Sequence, residues 1–123
     1  MKTNIDDRGT LTEYNDDGTI HHIKSRAREE FYEYDNKHIL RHKWIKLNNF
    51  KVIHRYYTES GKLISACLID HNGNMLENIV YDPETGATIN KWQKRYTSDP
   101  DIHNVDECPE PDPEVFNLLY LKV

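Results

Sequence analysis

Between Tyr57 and Tyr96 the chain repeats one pattern three times: an aromatic or aliphatic residue, a polar knot ending in glycine, then a short apolar run. The copies are Tyr57-TES-Gly61-KLI, Ile69-DHN-Gly73-NML and Tyr81-DPET-Gly86-ATI. Asn, Asp and Ser bend the backbone locally, and glycine takes the left-handed conformation that other residues resist. Each knot therefore reverses the chain and each run extends it, which predicts successive β-hairpins. A similar knot, NDDG, joins Leu11–Tyr14 to Thr19–Ile23 with Gly18 at the bend.

Turn signals recur near residues 8, 17, 26, 36, 48, 60, 72 and 85. Their spacing of about 12 residues fits one strand plus one bend, so the expected class is all-β, an antiparallel meander of about eight strands. It is expected to form either a curled sheet or an up-and-down barrel, since closure removes sheet edges. Residues 1–9 end in DDRG, which reads as the turn that opens the fold. Residues 25–34 allow a short helix opened by Ser25 or a strand, and the clustered aromatics favour the strand. Residues 63–69 are almost wholly apolar or small and read as the most buried strand. In HILRHKWIKL, Leu40, His42 and Trp44 fall on one face and Ile39, Arg41, Lys43 and Ile45 on the other, so neither surface is purely a core face.

At 123 residues the chain suits one meander domain over residues 1–98, an acidic proline-containing connector over 99–114, and an apolar end, 115–123, that docks on the sheet as a strand or a helical turn. Four prolines in the connector cannot donate to a sheet ladder, so it is expected to be extended. No apolar run approaches the roughly 20 residues that span a bilayer, and the first residues lack the apolar centre of a signal peptide, so a cytoplasmic protein is expected. Cys67 and Cys108 are expected to stay reduced there.

The net charge of −5 is unevenly spread. Residues 37–56 carry Lys37, Arg41, Lys43, Lys46, Lys51 and Arg55 without an acid, and residues 99–114 carry acids without Lys or Arg. Two surfaces follow as expectations. Asp99, Asp101, Asp106, Glu107, Glu110, Asp112 and Glu114, or the turn acids Asp16 and Asp17, could meet a basic partner protein as phosphate mimics. Arg41, Lys43, Trp44 and Arg55 could instead form a stacking and phosphate-binding surface for single-stranded nucleic acid.

Tyr57-x-x-x-Gly61-Lys62-Leu63, Tyr81-Asp82-x-x-x-Gly86 and Tyr14-NDDGTI resemble the MORN-variant repeats of bacterial antitoxin-type proteins and the YD repeats of large toxin shells. Tyr34-DNKHIL and Leu47-NNFKVI depart from the motif because they lack the glycine. The resemblance implies a non-enzymatic sheet protein that protects a bacterium from a toxin, and it transfers no functional residues.

No nucleophile elbow, phosphate loop or metal-ligand spacing appears, and no cofactor is implied. His38 and His42 would sit on one strand face but about 13 Å apart, too far to share an ion. The expected function is protein binding, with a toxin domain such as a basic nuclease as partner and the chain as its immunity protein or antitoxin. The alternatives are a small-ligand β-barrel and a single-stranded nucleic-acid binder.

Overall fold

The computed structural model describes residues 2–48, 50–97 and 107–121. Nine consecutive strands form one antiparallel sheet in chain order: β1 (Lys2–Ile5), β2 (Leu11–Tyr14), β3 (Ile20–Lys24), β4 (Arg28–Tyr34), β5 (Leu40–Leu47), β6 (Val52–Tyr57), β7 (Leu63–Ile69), β8 (Met75–Tyr81) and β9 (Thr88–Gln93). The meander expected from the turn rhythm is therefore present, with one more strand than expected. Eight bends separate nine strands, and the extra one, β1, lies ahead of the DDRG turn read as the opening of the fold. The segment 25–34 contributes strand β4. Because β1 and β9 are opposite ends of the strand order, the sheet is open, which corrects the barrel alternative.

Six of the bends share one hydrogen-bond pattern. In the loops starting at Asp6, Asn15, Asp35, Leu47, Thr58 and Asp70, the first residue's N–H donates to the carbonyl four residues on, and the fourth residue's N–H donates back to the first carbonyl. That fourth residue has positive φ in every copy: Gly9, Gly18, His38, Phe50, Gly61 and Gly73. The two copies that lack glycine thus keep the same turn with His38 and Phe50 at φ 64°, a conformation that strains an L side chain. A register shift precedes the last residue of β2, β4, β6 and β8, and that residue is a tyrosine each time: Tyr14, Tyr34, Tyr57 and Tyr81.

Alternation then sorts the side chains, with Leu76 the exception as the extra residue between Met75 and Glu77 at the β7–β8 register shift. Ile45, Ile53, Ala66, Leu68, Leu76, Ile79 and Tyr81 form the core on one face. It is completed by Val115 and Leu119 from the helix α1 (Pro113–Leu119). Seven residues are too few for a helix to persist alone, so docking holds it. Pro113 starts it where a missing N–H is harmless, and Arg55 ends it. The Arg55 guanidinium, 1% exposed, donates to the carbonyls of Leu118 (3.0 Å), Leu119 (3.5 Å) and Leu121, the groups a helix C-terminus leaves unpaired. The other buried charge under this end of the chain is Glu77, fully enclosed, which accepts from the hydroxyls of Tyr96 (3.0 Å) and Tyr120 and lies 3.8 Å from Lys91.

The chain leaves the large sheet at Lys94, whose N–H donates to Leu76. Two short strands, β10 (Arg95–Thr97) and β11 (Glu107–Pro109), then pair in parallel. Within the described part of the acidic segment, Pro109 sits in that ladder and Glu114 lies in the first turn of α1. A proline is tolerated there because the pair is short and open at its side. No helix among the described residues is long and apolar enough to cross a membrane.

Candidate protein-binding face

On the face opposite α1, the same alternation lines up rings. His22 is opposite Phe31, Phe31 opposite Trp44, and Trp44 opposite His54, while His42 is opposite Tyr56 in the neighbouring row. Directly opposed side chains in an antiparallel sheet are close enough for rings to pack. Phe31 and Trp44 are near parallel at 5.0 Å and 9°, and His42 and Tyr56 at 4.5 Å and 2°. His22 tilts against Phe31 at 4.8 Å, and His42 covers Trp44 at 4.8 Å. The result is a continuous ladder over β3 to β6. Beyond it Ser65, Cys67 and Asn78 lower the surface until Trp92, 49% exposed, rises on the edge strand β9.

Carboxylates fix the histidines of this ladder. His22 lies between Glu13, 3.2 Å from Nδ1, and Glu29, 2.6 Å from Nε2. Glu33 is 3.5 Å from Nδ1 of His42, and Nε2 of His42 is 2.9 Å from Nδ1 of His54. Burial, and after it the charge of His42, holds His54 below the ordinary histidine range. Burial likewise pushes the Cys67 thiol and the Tyr56 hydroxyl up, so both stay protonated at neutral pH.

The structure separates the residues that the sequence grouped. Trp44 belongs to the ring face, but Lys43 and Arg55 are opposite one another on the α1 side, since alternation turns residue 43 away from residue 44. Lys43 pairs with Glu30 at 3.2 Å and lies over Tyr32, and Arg41 donates to the Tyr57 carbonyl at 3.0 Å and faces Asp35 at 3.7 Å. Arg55 is buried beneath the chain end. These side chains therefore do not form one exposed basic and aromatic surface.

Among the acids, Asp17 is engaged within its own hairpin region. It accepts from the Thr19 hydroxyl (2.5 Å) and N–H (2.9 Å) and meets His38 at 2.5 Å. Those contacts, the Thr19 hydroxyl first, hold its carboxyl below the usual range. Asp16 lies exposed in the same turn. Glu110, Asp112 and Glu114 are exposed around the start of α1, and Glu107 begins β11. Asp99, Asp101 and Asp106 lie outside the described residues.

Two further features bear on the chemistry. No group of three His, Cys, Asp or Glu among the described residues is arranged to hold a metal ion. A groove of about 430 Å³ opens between two hairpin ends, lined by Tyr57, Leu63, Tyr81 and Pro83 among others. The ring ladder itself was half legible: the alternation of His42 and Trp44 was visible, but its partners Phe31, Tyr56, His54 and His22 depend on register across four strands. No family model matches the chain, and no curated protein matches its sequence.

Proposed function

We propose that the chain is a non-enzymatic binding module that neutralises another protein, an immunity protein or antitoxin acting on a bacterial toxin domain, and that it binds through the ring-lined face. The observation that carries this reading is the ladder of His22, Phe31, Trp44, His42, His54 and Tyr56, built into rigid strands and opposite the face that α1 covers. Broad, rigid aromatic surface that loses little entropy on contact is what protein recognition uses. The ladder favours a protein over single-stranded nucleic acid. Base stacking needs a free ring face, and Phe31 has His22 on one side and Trp44 on the other. Phosphate binding needs free cations, and Lys43 and Arg55 are engaged within the fold. Exposed Glu110, Asp112 and Glu114 would add the negative potential that speeds association with a basic toxin domain such as a nuclease. The resemblance to MORN-variant and YD-type repeats belongs to the same proposal.

Co-expression with the toxin-domain proteins encoded beside the gene tests it. The chain should rescue growth and co-elute with one of them. A variant carrying Phe31→Ala, Trp44→Ala and Tyr56→Ala, verified as folded by its β-type circular dichroism, should lose at least tenfold in affinity, from about 1 to 3 kcal/mol at a central aromatic. Full neutralisation by that variant, or failure to bind any neighbouring toxin, would overturn the reading.

A further inference from the structure

At the centre of the ring face, Glu33, His42 and His54 form a row from β4 to β6. The two imidazole centroids are 5.2 Å apart with planes within 13°, and the facing nitrogens are 2.9 Å apart. These values place the rings end to end in almost one plane. That arrangement holds one proton between the nitrogens and has no room for two. The two nitrogens point at one another and do not converge on a third point, so the pair is not set to chelate an ion.

We propose that His42 and His54 are a proton-operated latch on the partner-binding face. One shared proton joins the rings, and uptake of a second places a donor on each facing nitrogen and drives them apart. His42 is packed on both Trp44 at 4.8 Å and Tyr56 at 4.5 Å, so its movement disrupts the ladder rather than one contact. The groups that face the pair set the balance. Glu33 on β4, with its side chain 61% exposed, lies 3.5 Å from Nδ1 of His42. Lys46 on β5 lies diagonally across from His54. Tyr56 on β6 and Cys67 on β7, the latter directly opposite His54, are neutral through the histidine range, both raised further from it, and offer no counter-ion. A second proton at His54 therefore enters a half-buried place without compensation, which favours breaking the bond over holding two charges together. The consequence for function rests on the protein-binding reading: the partner would be held at neutral pH and released on mild acidification.

The test uses the full chain with Trp92→Phe, leaving Trp44 as the reporter, titrated from about pH 8 to about pH 5, the histidine range. Trp44 emission and the imidazole NMR signals of His42 and His54 should move together through one transition. His54→Gln should abolish the Trp44 transition, and His42→Gln should move the His54 transition upward while leaving the part of its depression that burial causes. Flat Trp44 emission, or unchanged titration of each histidine after replacement of the other, would overturn the latch. Both readouts are taken without a partner. A latch that titrates while the ring-face variant still neutralises the toxin sinks the binding reading alone, and ring-dependent binding with flat Trp44 emission sinks the latch alone.

Discussion

Arg55 is the residue whose role changes most between chain and fold. In the sequence it is one cation among six in an acid-free stretch; in the structure it closes the C-terminus of α1 from beneath, with three carbonyl partners. A charged donor to otherwise unpaired carbonyls is worth more than a neutral one, and its removal strands those acceptors in the interior. Arg55→Met is expected to cost about 2–3 kcal/mol in urea unfolding. Lys46→Met, on an exposed position of the neighbouring strand, should stay within about 0.5 kcal/mol. Equal losses from the two would show that Arg55 is not the clamp. Nothing local to residues 52–57 announces this role, because its partners are more than sixty residues away.

At the level of elements, the repeated loop is the unit that lays the strands side by side. Its hydrogen bonds need a fourth residue with positive φ, which glycine supplies without strain and His38 and Phe50 do not. Phe50 is 71% exposed, so Phe50→Gly relieves the backbone while removing little packing and should stabilise the protein by about 1 kcal/mol. Gly73→Ala should destabilise by about the same amount, since a Cβ there meets nothing within 4 Å and only the backbone conformation objects. Paired urea midpoints decide it: a loss in Phe50→Gly would mean that the ring contributes more than the strain it imposes. The strands were legible because turn residues and alternation are local signals. The glycine-free loops were legible as turns but not as copies of the repeat. The tyrosine closing β2, β4, β6 and β8 was the better marker, as Tyr34 holds that place where glycine is missing. Helix α1 and the parallel pair β10–β11 were not legible in detail, because a seven-residue helix and a three-residue ladder exist through what they dock against.

Across the whole molecule, the turns and the ring face give acid the same sign of effect. Asp35 and Asp70 are held below the usual carboxylate range. At Asp35 the Ile39 N–H is the main cause; at Asp70 the amides of Asn74 and Asn72 outweigh an opposing effect of burial. A depressed carboxylate contributes stability that is present above its unfolded value and lost as pH falls through the folded one. His54 is depressed too, so its folded form resists a proton that the unfolded chain accepts, and stability again falls on acidification. Thermal midpoints should therefore hold at neutral pH, drop as pH passes below about 6.5, and drop again below about 4. His54→Gln should remove the first step alone, and a midpoint that rises on acidification would refute the account. The order of hairpins, the antiparallel meander and the alternation of faces were determined by the sequence itself, since each depends on residues within a few positions of one another, whereas the open ends of the sheet were not. Which face carries the core, which carries the rings, and where Arg55 and Glu77 find partners were decided only by tertiary structure. Cross-strand register and the return of the chain end onto the sheet join residues whose separation leaves no local trace.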